Sequence, residues 1–563
     1  MKNKLLTHVK KNEAIYIPAL VTVFFVLFVP LFYHEVDDRF LQDMAMSASY
    51  NEHSEFLCMM SPATGYVLRW LTLVIPSINW LAVLYYTIIT LGFFGFFSFV
   101  KEASRDTNGR MPLYACLALT QGLVLMHTTF TFVSFIGIAG AAAYGLGHIK
   151  YGKRLLHIIP MFFLGYFAAG TRNRYEVVWV VLALASPLML YMLKKKKTTI
   201  VCAVLVAVTL LAGLYGSIAT HFAHLEKHAL EEVAVFHKGR SALNDTAWFD
   251  YDFAASFYQE QGISQNDLKM ARQLLICDKS IFSADKMWDM ANGQTNENKY
   301  NTDIAKLASG LFSNLYFICF SAVFLLVLLL APEKWFYLSA IYGGSGLFMT
   351  YLYARQRAEI RTFLPVLIVA GVYMLLCMCD APSLWLARKI IKTEKASRIA
   401  QKIIIVLFVA LLGVIGLKQY YHLYIEYHAL ESRNEIFAYV EENPDVYVTA
   451  SAWTRNLLYS KQIRVLEKNI KDHKIHSVYG DWYLYYPYYY ARMEKLGLGD
   501  YAEKALLLPI ERSDCYFLTL NDEEITMLVN FYQQYYNLKV EAIEIDAFNE
   551  NRFKLYRFEV TEG

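Results

Sequence analysis

Three carboxylates fall within four residues at Glu35, Asp37 and Asp38, inside the run His34-Glu35-Val36-Asp37-Asp38-Arg39-Phe40. Crowded carboxylates raise one another's pKa unless cations or hydrogen-bond donors compensate. Such a group suits a general base, a divalent-cation site, or both. Asp37 and Asp38 are the candidate catalytic pair, and Glu35 with Asp37 the candidate ligands of a cation such as Mg or Mn. Because Asp37 and Asp38 are adjacent, their side chains diverge in a helix or a strand and must hold different roles. The plainer alternative is a solvated acidic loop.

A second set of residues is cationic. Arg172 and Arg174 stand in Thr171-Arg172-Asn173-Arg174-Tyr175, and Arg355, Arg357 and Arg361 cluster further on. Guanidinium matches phosphate oxygens in a forked geometry, so Arg172, Arg174, Arg357 and Arg361 are candidates for holding a lipid phosphate. Arg357 and Arg361 are spaced one helical turn apart. The alternative is simple pairing with headgroups, or with Glu176 and Glu359.

The elements that must position these residues are membrane helices. The 563-residue chain is 56% hydrophobic, 16% aromatic and only 18% charged, too apolar for an ordinary soluble protein. A net charge of +3 gives no electrostatic footprint for nucleic acid. The eight cysteines are scattered, mostly in apolar runs, and form neither a disulfide framework nor a zinc spacing. The first apolar run, from Ala14 to Tyr33, is long enough to span and carries no cleavage site. Ten further runs follow: Trp80 to Val100, Met111 to Met126, Phe130 to Gly147, Leu156 to Gly170, Val177 to Leu193, Thr198 to Ala219, Leu311 to Leu330, Trp335 to Tyr353, Thr362 to Met378 and Ile403 to Tyr421. The expectation is a polytopic α-helical protein of about eleven spans.

Orientation follows from the basic residues of short loops, which favour the cytoplasmic side. Lys2 to Lys11, Lys101 to Arg110, Lys150 to Arg154, Lys194 to Lys197 and Arg388 to Lys402 all fall on one face, placing the amino terminus inside and the carboxy terminus outside. On this reading residues 1–421 form the membrane domain, with outer loops at 34–79 and 220–310, and residues 422–563 form an extracytoplasmic domain. The acidic motif then sits at the outer interface, since a charge at mid-membrane costs about 2.5–3.5 kcal/mol. The arginines sit on the outer side too, where the charge rule disfavours them.

The first outer loop reads as two interfacial helices. Asp38 can cap one in which Phe40, Leu41, Met44, Ala45 and Ala48 share an apolar face suited to the headgroup layer. Ser61-Pro62 starts the other and Pro76 stops it. In the second outer loop His221, His224 and His228 share a helical face; a continuing transmembrane helix explains them as well as zinc does. The last region reads as a small α/β domain, with strands at Val446 to Ala450, Cys515 to Leu520, Leu538 to Ile545 and Arg552 to Val560, and a helix from Glu523 to Tyr535. The aromatic run from Tyr479 to Tyr490 can stack on sugar rings, rest on lipid headgroups, or pack beneath the membrane domain.

An acidic Glu35-x-Asp37-Asp38 motif after the first helix, two interfacial helices, many spans and an outer carboxy-terminal domain resemble the GT-C superfamily of polyprenyl-phosphate-dependent glycosyltransferases. Within it the chain is similar to bacterial glucosyltransferase-type proteins that decorate surface polysaccharide or teichoic acid. The resemblance implies that one of Asp37 and Asp38 deprotonates an acceptor hydroxyl while the other orients a divalent cation or the acceptor. It implies that Arg172, Arg174, Arg357 and Arg361 hold the phosphate of a lipid-linked sugar donor, with a glycan or lipid-linked acceptor as the second substrate. A polymerase or ligase of lipid-linked glycans and a lipid or glycan flippase remain as alternatives. A flippase would require ionisable residues buried at mid-membrane, broken helices and repeated halves, and the chain shows few mid-span charges and no repeat.

Overall fold

The computed structural model describes residues 12–46, 56–57, 59–104, 107–148, 156, 158–172, 175–193, 198–244, 251–293, 303–380, 406, 409–410, 412–425, 434–458, 462–465, 475–476, 478–480 and 483–561. Arg174 and the basic runs 194–197 and 388–402 lie outside the described residues, as does Ala48.

The apolar runs form helices whose starts follow local chemistry. In chain order they are α1 (Glu13–Phe28), α2 (Val36–Met46), α3 (Pro62–Val74), α4 (Trp80–Ala103) and α5 (Thr107–Met126). Next come α6 (Phe130–Gly147), α7 (Ile158–Thr171), α8 (Tyr175–Leu193), α9 (Thr198–Lys227) and α10 (Glu231–Asn244). Asn79 caps α4 by accepting from the Ala82 amide, and Thr129 caps α6 by accepting from the Phe132 amide, each satisfying an amide that has no partner inside its helix.

Among the described residues, four helical stretches are long and apolar enough to cross a bilayer: Trp80–Ala103, Phe130–Gly147, Val204–Lys227 and Ile360–Cys379. A fifth candidate is broken, with α11 (Ile304–Ser313) and α12 (Leu315–Leu330) meeting at a 76° bend. The expected spans at α1 and α7 are apolar helices of 16 and 14 residues, and those at α5 and α8 are apolar over Arg110–Met126 and Val177–Met189. The protein is thus a helical membrane protein whose described helices give four clear spans, or five with the bent pair, against the eleven expected from run length. Two helices follow the bend, α13 (Trp335–Ala354) and α14 (Ile360–Leu376). Residues 412–425, which overlap the end of the last expected span and continue past Tyr421, are helical.

α4 and α6 pack backbone to backbone. A Cβ placed on Gly95 would lie 2.1 Å from the Gly140 carbonyl oxygen, and one on Gly140 2.1 Å from that of Gly92. Only glycine permits backbones to meet at this distance, and the resulting contact stands in for a hydrophobic drive that is absent between helices in lipid. Every residue of α6 is buried.

The two expected interfacial helices exist, but they differ. On α2, Phe40, Leu41, Met44 and Ala45 are buried, so the face assigned to headgroups packs into protein instead. α3 starts at Pro62 as expected and keeps an exposed apolar stripe of Tyr66, Val67, Trp70, Leu73 and Val74.

The carboxy-terminal strands are β1 (Tyr447–Ala450), β2 (Ile475–His476), β3 (Cys515–Thr519), β4 (Val540–Phe548) and β5 (Phe553–Val560), in the order β2-β1-β3-β5-β4. β1 runs parallel to β2 and β3, while β5 pairs antiparallel with β3 and β4. The four expected strands are all present; β2, two residues long, carries no periodicity to read. The expected helix is Asp522–Tyr536, ended by Asn537 in the left-handed region at φ 52°.

This sheet does not stand apart from the loop between α9 and α11. The Ile276 amide donates to the Tyr479 carbonyl at 3.1 Å, and the Leu506 amide to the Cys277 carbonyl at 3.3 Å. His237 bonds the Leu484 carbonyl at 2.7 Å, and the fully buried Arg240 donates to the Gly480 carbonyl at 3.1 Å. Tyr479, Tyr483, Tyr485 and Tyr489 are buried in a core that both segments share. The aromatic run is therefore packing, and its reading as a sugar platform is corrected. His221 and His224 stack on Phe56, at ring separations of 5.8 and 4.9 Å.

Candidate functional site

The acidic motif lies where four parts of the chain converge. Beside it, residues 31–32 are held by the carboxy-terminal segment: the Ile463 amide donates to the Leu31 carbonyl at 2.8 Å, and Phe32 bridges Gln462. On the other side the His34 amide donates to the Thr128 carbonyl at 3.1 Å. α2 begins directly afterwards at Val36, so Asp37 and Asp38 occupy its first turn, where negative charge suits the amino-terminal end of the helix dipole. Asp38 was expected to cap this helix. It lies inside the helix instead, and its carboxylate points to other partners.

Asp38 is fully buried. Its Oδ1 accepts from the Tyr85 hydroxyl at 2.7 Å and from the Phe130 amide at 2.8 Å, while Oδ2 is buried with no hydrogen-bond partner. Tyr85 belongs to α4 and Phe130 opens α6, so one oxygen ties the motif to both members of the glycine-packed pair. Burial drives the Asp38 carboxyl well above the usual aspartate range, against the pull of those two hydrogen bonds.

Asp37 faces a different environment. Arg361 Nη1 donates to its Oδ2 at 3.1 Å and lies 3.7 Å from Glu35 Oε2, while Arg361 Nε pairs with Glu359 at 2.5 Å. The Arg361 and Glu35 side chains are 21% and 25% exposed and that of Asp37 is 10%, so this cluster is the open side of the motif and Asp38 the closed side. The divergence expected of adjacent side chains is thereby realised.

Arg172 joins the closed side. Its guanidinium donates to the Thr131 hydroxyl and lies 5.1 Å from the Phe130 ring centroid, next to the amide that holds Asp38. Arg357 does not share a helical face with Arg361. α14 starts at Ile360, and Arg357 sits in the preceding turn, where Gln356 takes φ 53° and the Arg357 amide closes onto Leu352. The structure thus brings Glu35 and Asp37 onto Arg361, sets Asp38 behind them on the Phe130 amide, and places Arg172 against the Phe130 ring, with Arg357 in the turn that leads to Arg361.

Glu35 and Asp37 share the Arg361 guanidinium, which supplies between them the positive charge a bound cation would bring. Among the described residues no group of three or more His, Cys, Asp or Glu side chains is arranged to hold a metal ion. A cation such as Mg or Mn, held through one or two carboxylates, would take Glu35 and Asp37 as its side-chain ligands in place of Arg361.

Two further neighbours carried no sequence signal. His127 Nδ1 bonds the Leu123 carbonyl at 3.0 Å, its Nε2 is buried without a partner, and its ring lies 5.3 Å from that of His34. Burial lowers His127 to about 4, so it is neutral. Behind the motif, Asn79 donates to Gln42 at 2.7 Å and locks the loop before α4 onto α2.

No protein-family model matches the chain, and no curated protein matches it. The chemistry of the site therefore rests on its own geometry.

Proposed function

We propose that this chain is an integral-membrane glycosyltransferase of the GT-C kind, moving a sugar from a polyprenyl-phosphate carrier to a glycan or lipid-linked acceptor. The carrying observation is the Asp37–Arg361 contact: a largely buried carboxylate beside a partly exposed guanidinium, in the first turn after an apolar helix. In this reading Asp37 takes the proton of the acceptor hydroxyl. The hydroxyl oxygen bonds to the anomeric carbon as the bond from that carbon to the phosphate oxygen breaks, and its electron pair leaves on the phosphate. Arg361, a planar five-donor cation, receives that charge, with Arg172, against the Phe130 ring, as the other cation that the resemblance assigns to the phosphate. Asp38, closed and held by Tyr85 and Phe130, is the anchor that fixes Asp37 in place. No step passes through a metal.

The exposed stripe on α3 supports a membrane-surface position for the motif, since Trp and Tyr favour the interface between lipid and water. Eleven spans with the amino terminus inside would put the motif, Arg172 and Arg361 on the outer face, along with the carboxy-terminal sheet. A cysteine introduced at Gln356, which is exposed, tests this: labelling by an impermeant reagent from outside is expected, and protection would reverse the orientation.

The activity is tested by supplying purified protein in nanodiscs with polyprenyl-phosphate hexoses and a hydroxyl-bearing glycan acceptor and measuring acceptor-dependent release of polyprenyl phosphate. Release by the native chain and its loss by about 10²–10⁴-fold in Asp37→Asn are expected for a general base. Equal release by both would falsify the assignment.

A further inference from the structure

A cleft of about 500 Å³ lies where the loop before α11 meets the carboxy-terminal segment. Its walls are the end of α10, the helix Gln265–Arg272, the helix Ala452–Leu458 and the helix Asp522–Tyr536. The volume is that of a small-molecule site.

The lining is rich in primary amides, with Asn244, Asn266, Gln273 and Asn530 all contributing. An amide offers a donor and an acceptor side by side, which is the pattern that adjacent sugar hydroxyls complement. The amide nitrogen of Asn244 is buried with no hydrogen-bond partner, a cost that an acceptor oxygen entering the cleft would remove. Trp453 lines the same cleft and is 47% exposed, presenting an indole with one apolar face, as needed to stack on a pyranose ring. Lys269 and Arg272, one turn apart on their helix, bring two positive charges against the single carboxylate of Glu523.

We infer that this cleft binds a segment of an anionic glycan, gripped by amides and the Trp453 indole with Lys269 and Arg272 selecting its charge. The identification of the ligand as the acceptor chain rests on the transfer reading above; the lining itself argues only for glycan. The helix that carries Trp453 also carries Arg455, two positions on and so on the opposite face. Arg455 lies 5.2 Å from the Phe40 ring centroid and 3.7 Å from Asp43 Oδ2, both on α2. One short helix therefore stands between the cleft and the helix that begins with Asp37 and Asp38.

The test applies full-length protein in nanodiscs to immobilised oligomers of three kinds: neutral glucose, galacturonate, and phosphodiester-linked glucose. Retention on one or both anionic oligomers above the neutral one is expected, falling by up to about tenfold in Trp453→Ala, the scale of one aromatic contact. Arg272→Ala is expected to narrow the preference for anionic over neutral chains. Because Trp453 is exposed, its truncation opens no core, and an unchanged melting temperature in W453A confirms this. Retention on none of the three, or equal retention by native and W453A protein, overturns the proposal; the latter outcome marks mere charge attraction. Asp37→Asn is expected to keep full retention. Transfer that survives in Asp37→Asn would sink the catalytic reading while leaving the cleft in place.

Discussion

Asp37 and Arg361 stand 324 positions apart in the chain and meet through one hydrogen bond of 3.1 Å. The contact joins the first turn of α2 to the second residue of α14, and Glu35 and Glu359 complete the ring around the guanidinium. Arg361→Ala is expected to leave the protein folded, since its side chain is partly exposed, yet to lower sugar transfer by about 10²–10³-fold, the scale of losing a preorganised cation at a leaving group. Arg361→Lys is expected to recover only part of this, because an ammonium cannot reproduce the planar fork. The measurement is polyprenyl phosphate release over a range of donor concentrations. An effect confined to the acceptor KM would contradict a role at the phosphate.

Asp38 predicts a contrast between two substitutions. Asp38→Ala strands the Tyr85 hydroxyl and the Phe130 amide in a buried place, at roughly 1–3 kcal/mol for each orphaned donor. Asp38→Asn keeps an acceptor oxygen for both and removes the titration. With its folded pKa raised, the contribution of Asp38 is fully present below the ordinary aspartate pKa and is lost as pH rises from there toward its folded value. Melting temperatures followed upward from pH 4 should therefore show native stability falling relative to Asp38→Asn. Parallel curves for the two proteins would show that burial has not shifted this carboxyl.

The glycine contact between α4 and α6 positions both donors to Asp38. Gly140→Val places a side chain against the backbone of Gly92, where no flexible neighbour can give way. The helices must separate, and Tyr85 and Phe130 with them. Overpacking of this kind costs about 1–3 kcal/mol or more. A lower melting temperature is expected, together with a larger loss of transfer than the loss of folded protein explains. Unaltered transfer at full folding would mean that the spacing of these helices does not set the site.

The motif was legible because three acids directly after an apolar run conflict with the membrane, and a conflict of that kind stands out in a sequence. Arg361 was legible for the same reason. The partners of Asp38 were not: Tyr85 looks like any tyrosine in an apolar run, and the Phe130 amide has no side-chain signature. The strands of the sheet followed from alternation and the turn residues between them, while β2 was too short to alternate. The face of α2 was identified correctly as apolar, but apolarity alone does not say whether protein or lipid covers it. The span count depended on run length, and run length registers neither a bend, such as that between Ser313 and Leu315, nor a helix end inside an apolar run, such as that at Phe28.

The acid sensitivity of the interface around the aromatic run follows from His237. Its Nε2 bonds the Leu484 carbonyl and its ring stacks on Tyr486 at 5.0 Å, so the neutral form with a proton on Nε2 fits the site. Burial, then the neighbouring Arg240 charge, lowers it to about 3. Stability from a depressed histidine is fully present above its unfolded value of about 6.5 and is lost as pH falls through the folded value. Native protein should thus lose roughly 1.4 kcal/mol per pH unit below about pH 6 relative to His237→Gln, which cannot be charged. The variant is expected to be less stable than native protein at pH 7.5 and to close that gap by pH 5. Thermal unfolding at these two pH values decides the matter, and a gap that stays constant would show that His237 is charged in the folded state or that its surroundings open to water.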